Sequence, residues 1–452
     1  MLTTLTESKK VSQFPPYAYT ATESRKPPMS NPVMPPLFDE PTTLQNFSKH
    51  VNWFQSILLI STPLLAIWGA YKTPLETKTL WWTLIYYFAT GLGITAGYHR
   101  YWAHTSYSCT KPTQWALCLA GSGAFEGSIR WWSRGHRAHH RWTDSDKDPY
   151  AATRGFFFSH MGWMLINRPK NRIGYADIDD LKADPIVKFQ HKYYLYFALG
   201  MAFLFPSLVA GLGWGDFKGG LVYGGLCRLV FVHHATFCVN SLAHFLGDTP
   251  YDDFHTPKDS WITAIVTCGE GYHNFHHEFP QDYRNAIIWY QYDPTKWLIT
   301  ILYILGLAYD LKSFSANEIE KGRIQMIEKK IEEAKAKIHF GRPLRDLPVY
   351  TMEEYKFMVT CKDKQWILLD GILYDVENFD HPGGKKYIKS AIGRDMTKAF
   401  SGGVYNHSNG ARNLLTSMRV GVIKDAISLN RVWSDTELAV KYDATLEPNK
   451  NN

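Results

Sequence analysis

Eight histidines fall into three short clusters along this 452-residue chain. They read His99-Arg-Tyr-Trp-Ala-His104, His136-Arg-Ala-His139-His140 and His273-Asn-Phe-His276-His277. Imidazole nitrogen is a good ligand for iron, copper, zinc and nickel. Eight imidazoles exceed the needs of one ion, so the pattern asks for two. The clusters also lie at the edges of long apolar stretches. A histidine-rich dimetal site beside a membrane surface points to oxygen chemistry on a lipid.

Spacing says how the ligands are presented. His136, His139 and His140 stand at i, i+3 and i+4, which puts them on one face of a helix, and His273, His276 and His277 repeat that spacing. His99 and His104 are five apart. A regular α-helix would splay that pair by roughly 140°. Their convergence requires that the helix end or distort between them, or that a ligand be approached from two sides. Structural zinc, which closes a tetrahedron of four ligands, fits poorly. Copper and iron both suit the ligand type.

The elements that must carry these residues are mostly apolar. Mean hydropathy is −0.26, but this averages unlike regions, because the apolar residues concentrate between about 51 and 310. Four segments, about 51–71, 80–98, 193–214 and 221–243, read as spans long enough for a bilayer core of about 30 Å. Two hairpins then place the N-terminal tail, the segment 99–192 and everything after 244 on one side. The 99–192 segment carries Arg130, Arg134, Arg137, Arg141, Arg168, Lys170 and Arg172, which assigns that side to the cytosol. His99 sits where the second span leaves the membrane. Asn240 and His244 share a helical face where the fourth one leaves it. The clusters can therefore meet in a cytosolic cap. The apolar run 297–309 is too short for a fifth span and reads as a peripheral amphipathic helix.

Composition removes other classes. The net charge of +7 suits an anionic membrane surface or an anionic substrate. No basic run or binding motif indicates nucleic acid. Cys109, Cys118, Cys227, Cys238, Cys268 and Cys361 form no CxxC pair, so a disulfide framework or zinc ribbon is not expected. The first thirty residues lack the apolar core of a secretory signal.

The wording around the histidines carries a family resemblance. HRYWAH, HRAHH and GEGYHNFHH resemble the three histidine boxes of the integral-membrane fatty acid desaturases. GFFFSHMGW at 155–163 and NSLAH at 240–244 are similar to the acyl-CoA Δ9-desaturase (stearoyl-CoA desaturase) branch, and the likeness runs from about 50 to 312. It implies two iron ions (Fe2+) held by His99, His104, His136, His139, His140, His244, His273, His276 and His277, with Asn240 contributing through water. It implies an acyl-CoA substrate, palmitoyl or stearoyl, desaturated with O2 at C9–C10 to the cis-9 product. Trp132 and Arg134 match substrate-contacting positions, and Arg168, Lys170 and Arg172 are further candidates for the CoA phosphates. Gly135 departs from the animal enzymes, which carry Asp there. His160, His233 and His234 read as packing or supporting groups.

Residues 350–423 hold a second resemblance. His381-Pro-Gly-Gly384, Gly393-Arg-Asp395 and His407-Ser408 are similar to cytochrome b5, which implies haem b with His381 and His407 as axial ligands. Two imidazoles leave no open position, so such a haem transfers electrons and does not bind O2. The lysines Lys362, Lys364, Lys385, Lys386 and Lys389 offset the acidic character usual for cytochrome b5. A desaturase with b5 fused at its C-terminus is the arrangement of the fungal acyl-CoA Δ9-desaturases. No Gly-rich dinucleotide fingerprint occurs in the chain, so electrons from NADH require a separate cytochrome b5 reductase.

The expected fold class is therefore mainly α: a four-transmembrane-helix desaturase domain with a cytosolic di-iron cap, plus a small α+β cytochrome b5 domain. The expected boundaries are a disordered tail at 1–45, the membrane domain at 46–315, a charged, solvated helical linker at 316–346, the haem domain at 347–425 and a C-terminal tail at 426–452. The expected location is the endoplasmic reticulum membrane, multi-pass, with termini and both active domains cytosolic. Two other readings share parts of this pattern. A lipid hydroxylase with fused b5 would keep the iron and the haem but change the product. A non-catalytic haem membrane protein would lack the second metal site.

Overall fold

The computed structural model describes residues 34–169 and 172–424. Residues 1–33 of the expected N-terminal tail, the expected C-terminal tail at 426–452, and Lys170 lie outside the described residues. The chain divides into two units, one ending at Ile327 and the other beginning at Glu328.

The first unit is helical. Among the described residues three helices are long and apolar enough to cross a membrane: Trp53–Tyr71, Tyr194–Trp214 and Phe217–Phe245. Asn52 starts the first of them, its side chain accepting from the Gln55 N–H. Gly215, at φ +86°, ends the second in a left-handed turn. Asp216 then caps the start of the third through the Gly219 N–H. The expected second span, at 80–98, is not among them. The α-helix Thr77–Leu92 has only sixteen residues and runs into a π-helical stretch, Gly93–Ala103. That stretch is buried along almost its whole length. The backbone groups that a π-turn leaves poorly paired are thus accommodated inside protein rather than in lipid.

Ser128 caps the helix Ile129–Trp142, which carries the second histidine cluster. The six-residue helix His273–Glu278 carries the third. Between these elements lies the main core, built on Tyr98, Trp102, Leu117, Ile129, Val187, Val232 and Ile299.

The helix Ala316–Ala336 is not solvated throughout, as its charge suggests it should be. Ile319 and Met326 are buried, and Gly322 passes close to Tyr251 and Phe279. Arg323 lies over the Tyr251 ring and donates to its hydroxyl at 3.1 Å. Residues 319, 322, 323 and 326 share one helical face. Ile319 joins a small cluster with Tyr251, Phe275 and Phe279, while Ile324, Ile327 and Ile331 stay exposed.

The second unit has a four-stranded sheet in the order Val349–Tyr350, Arg419–Ile423, Ile372–Asp375, Trp366–Leu369. The first pair is parallel and the others antiparallel. Leu347, Ile367, Leu369, Ile372 and Val422 form its core. A capping box of Thr351 and Glu354 starts the helix Met352–Thr360.

Candidate metal centre and haem pocket

The π-helical stretch resolves the spacing of the first cluster. A π-turn pairs each N–H with the carbonyl five residues back, and the His104 N–H bonds the His99 carbonyl at 3.0 Å. The wider turn reduces the angular offset between residues five apart, and the two rings come within 4.9 Å between centroids.

The nine histidines gather into two groups. His99, His104, His136, His140 and His276 form one, and His139, His244, His273 and His277 form the other. Within each group the nearest nitrogens all lie within 4.8 Å of one another. In the first, Nε2 atoms approach at 3.0 Å for His99 and His276, 2.8 Å for His104 and His136, and 3.0 Å for His140 and His276. In the second, His277 meets His139 and His273 at 3.2 Å each.

The surroundings decide which nitrogen of each ring bears the proton. His99 directs Nδ1 at the Glu270 carboxylate, 3.1 Å away. His139 directs Nδ1 at Asp148, 2.9 Å away. His244 directs Nδ1 at the Thr256 hydroxyl, which already donates its own hydrogen to Asp144. In all three the proton stays on Nδ1 and a bare Nε2 lone pair points inward, the arrangement found behind metal-bound imidazoles. The Nε2 of His244 is buried and has no hydrogen-bond partner among the described residues. Burial also holds the imidazoles of His104, His136, His140, His276 and His277 well below their usual pKa, and that of His273 down to about 3. Neutral, buried rings with converging lone pairs repel one another unless a cation lies between them. The residues fit two metal ions.

Glu270 is the hub behind the first group. One oxygen accepts from the Arg100 guanidinium at 2.9 Å, and the other takes His99 and the Asn285 amide. Against the cost of burial, Arg100 and His99 hold its carboxyl down to about 2. Arg100 is itself fully buried and also pairs with Asp293. Sequence reasoning did not single out Glu270, Asp148, Asp144 or Thr256. Glu270 could have been found, since an acid inside the GEGYHNFHH box has few other uses in so apolar a setting. Thr256 had no signal.

A cavity of about 700 Å³ adjoins the centre. His99, His136, Asn240 and Glu270 contribute to its wall, Leu59, Tyr87, Ile94 and Val232 line its apolar part, and Trp131 and Arg134 also border it. Trp132 lies on the wall too, stacked on the His136 ring at 5.1 Å, its indole N–H donated to Glu126 at 3.2 Å. Burial raises the Glu126 carboxyl to about 8. Arg134 is exposed and has no protein partner among the described residues. Arg168 is committed differently: its guanidinium donates to the carbonyls of Asp148, Asp146 and Arg172. Arg172 pairs with Asp146 at 3.0 Å. Outside the centre, His160 bridges Ser241 and His234, and His233 bonds the Ala124 carbonyl.

A fatty acid desaturase profile matches residues 79–309, just over half of the chain. The chain belongs to the fatty acid desaturase family. Within the family it is 51% identical over 395 residues to a probable acyl-CoA desaturase of Schizosaccharomyces pombe, covering 87% of this chain and 82% of the relative. It is 48% identical over 393 residues to acyl-CoA desaturase 1 of Saccharomyces cerevisiae, covering 86% and 77%. It is also 38% identical over 268 residues to human stearoyl-CoA desaturase, covering 58% and 75%. Residues 351–424 match the cytochrome b5-like heme/steroid binding domain.

In that domain His381 and His407 face each other with ring centroids 6.1 Å apart. The gap admits one metal with a bond of about 2 Å to each ring. His407 is fixed from behind, its Nδ1 against the Phe400 carbonyl at 3.0 Å and its ring stacked on Phe400. Tyr387, Val404, Tyr405 and Leu414 are large apolar side chains left exposed in the same domain. Exposed apolar surface of this size marks a binding site, and the two facing imidazoles fit a haem.

Proposed function

We propose that this chain is an acyl-CoA Δ9-desaturase of the endoplasmic reticulum membrane, acting on palmitoyl- or stearoyl-CoA with O2. The observation that carries the proposal is the sorting of nine histidines, seven of them buried, into a group of five and a group of four beside an apolar cavity. The names of the relatives, all acyl-CoA or stearoyl-CoA desaturases, support the substrate class.

The nine histidines are the ligands, and Asn240, on the cavity wall, completes the smaller group through water. Two irons held there would supply the O2-derived oxidant that an unactivated C–H bond requires. The protein's own task is placement. The apolar wall orders the acyl chain and excludes water, so that one methylene pair is presented to the centre. Arg134, exposed and free of protein partners among the described residues, takes a CoA phosphate as a charge-assisted hydrogen bond. Arg168 and Arg172 add positive potential, and Lys170, outside the described residues, is kept as a further candidate for the CoA phosphates. Glu270, Asp148 and Thr256 keep the imidazole protons on Nδ1, away from the ligating atoms. His381 and His407 would hold haem b, which would supply one-electron transfer from NADH by way of a separate cytochrome b5 reductase. Four spans, with the 77–103 segment as the second, put both termini and both active domains in the cytosol.

The test is an assay on membranes containing the chain, given stearoyl-CoA, NADH, reductase and O2. Mass spectrometry of the product should show a cis-9 monoene. A hydroxylated chain, or a double bond elsewhere, would reject the Δ9 reading and leave the metal centre standing.

A further inference from the structure

Two segments of the first unit are built inside out. Between Trp261 and Cys268 there is no charged residue, and between Ala286 and Gly306 there are only Asp293 and Lys296. Both of these are turned inward, at 0% and 6% exposure. Asp293 pairs with Arg100 and caps the helix Pro294–Ile304 through the Lys296 N–H. The Lys296 ammonium is used up on the carbonyls of Ala286 and Ile288. What faces outward instead is Trp261, Ile265, Trp289, Tyr290, Ile301 and Ile304, with Trp289 82% and Ile304 75% exposed.

The two segments lie close together. Trp297, on the second helix, donates to the Trp289 carbonyl. Gly269, at φ +100°, brings the end of the first segment against Asp293 and Pro294. The helix Trp261–Val266 packs on the candidate span Phe217–Phe245. A surface with its charges inside and its aromatics outside suits lipid and not water. Yet the eleven-residue helix is about 16 Å long, half of what a bilayer core of about 30 Å demands. It cannot cross.

We propose that the helices Trp261–Val266 and Pro294–Ile304, with the loop at Trp289 and Tyr290, form an in-plane seat that dips into the bilayer interface beside the spans. The sequence points to an amphipathic helix at 297–309 alone; the structure adds the second helix, the aromatic loop and the inward charges. The seat is tied to the centre by covalent chain. Trp261–Val266 is separated from Glu270 and His273 by a few residues, and Asp293 holds the same Arg100 that Glu270 holds. Lipid would thus bear on the third histidine cluster.

The full-length protein, loaded with iron and haem, is reconstituted into phosphatidylcholine vesicles for the test. Trp289→Cys and Ile304→Cys are made separately in a Cys361→Ser parent and labelled with an NBD fluorophore, with the parent's own labelling subtracted. Trp68→Cys, in the first candidate span, and Lys335→Cys, on the charged helix, serve as references. The expected result is quenching by doxyl-lipid within about twofold of the Trp68 label, and little quenching by aqueous iodide. Iodide quenching like that at Lys335 overturns the seat. Shielding from both quenchers also overturns it, because a protein surface then covers the patch. Iron and haem contents equal to those of the parent show that each variant is folded.

Discussion

Replacing Glu270 by Gln tests the reasoning about proton placement. Glu270 accepts from Arg100 on one oxygen and from His99 Nδ1 on the other. Glutamine keeps the shape but has only one acceptor. If its carbonyl faces Arg100, its amide N–H₂ faces His99 Nδ1. Two donors then oppose each other, and relief comes from moving the His99 proton to Nε2. That places a hydrogen where a lone pair must point. Loss of such a supporting contact costs about 10- to 100-fold in metal affinity, or about 1.4 to 2.8 kcal/mol. Gln is the cleaner choice over Ala. Asp293 still pairs with Arg100, and the cavity left by Ala would add its own destabilisation. The assay is non-haem iron per haem across a chelator series, with the haem absorbance as an internal standard. E270Q should lose iron at about 10- to 100-fold lower chelator strength, with an unchanged haem spectrum and reduced desaturation. Iron retention identical to that of the unaltered protein would refute the assignment of the His99 proton, and with it the role of Glu270.

Further outcomes follow from other contacts. H276A removes a nitrogen shared by two close contacts of the five-histidine group; product should vanish while the haem spectrum persists. H381A or H407A should abolish the haem spectrum and NADH-dependent turnover, with non-haem iron retained on metal analysis. R134A should raise the KM for acyl-CoA by about tenfold, the loss of one charged hydrogen bond of about 1.5 kcal/mol, with kcat little changed and weaker salt dependence. Glu126, whose carboxyl is raised to about 8 from an ordinary 4.5, keeps a proton in the folded state that the unfolded chain has lost. Stability contributed by this group is full below about 4.5 and is lost as pH rises toward about 8. E126Q should therefore show a smaller fall in Tm than the unaltered protein between about pH 6 and 8, measured by thermal unfolding in detergent. Parallel Tm curves would contradict the burial argument.

The histidine boxes were legible because metal ligation forces residue type and spacing to agree within a few residues. The same holds for His381 and His407, where HPGG marks the place. Geometry left open a helix end, a distortion or approach from two sides between His99 and His104, and the structure shows a distortion, a π-turn. The partners behind the ligands were not legible. Thr256 reaches His244, and Asp144 reaches Thr256 from 112 residues away, through tertiary packing that no local pattern records. The helix Thr77–Leu92 and its π-helical continuation show what hydropathy alone leaves out. The apolar run at 80–98 is continuous, but its last turns are spent inside the protein core. Charge misled in the other direction at 316–336, where four residues on one face suffice to dock a helix that composition marks as solvated.

The π-turn between His99 and His104 also bears on how such boxes are read. A ligand pair on an α-turn would be written with three residues between the histidines, and here there are four. The interval is thus a record of helix type, written into the order of the residues. It also makes the segment intolerant of length change. Deleting one residue, Tyr101 for instance, would let the widened turn relax into an α-helix that still aligns the two rings but turns every residue beyond by about 100°. Arg100, on its N-terminal side, would keep Glu270 and Asp293, while Trp102, Tyr107 and the chain leading to the pairing of Ser108 with Tyr309 would be carried out of register. Substitution is the milder injury in this stretch, and insertion or deletion the one selection should remove first.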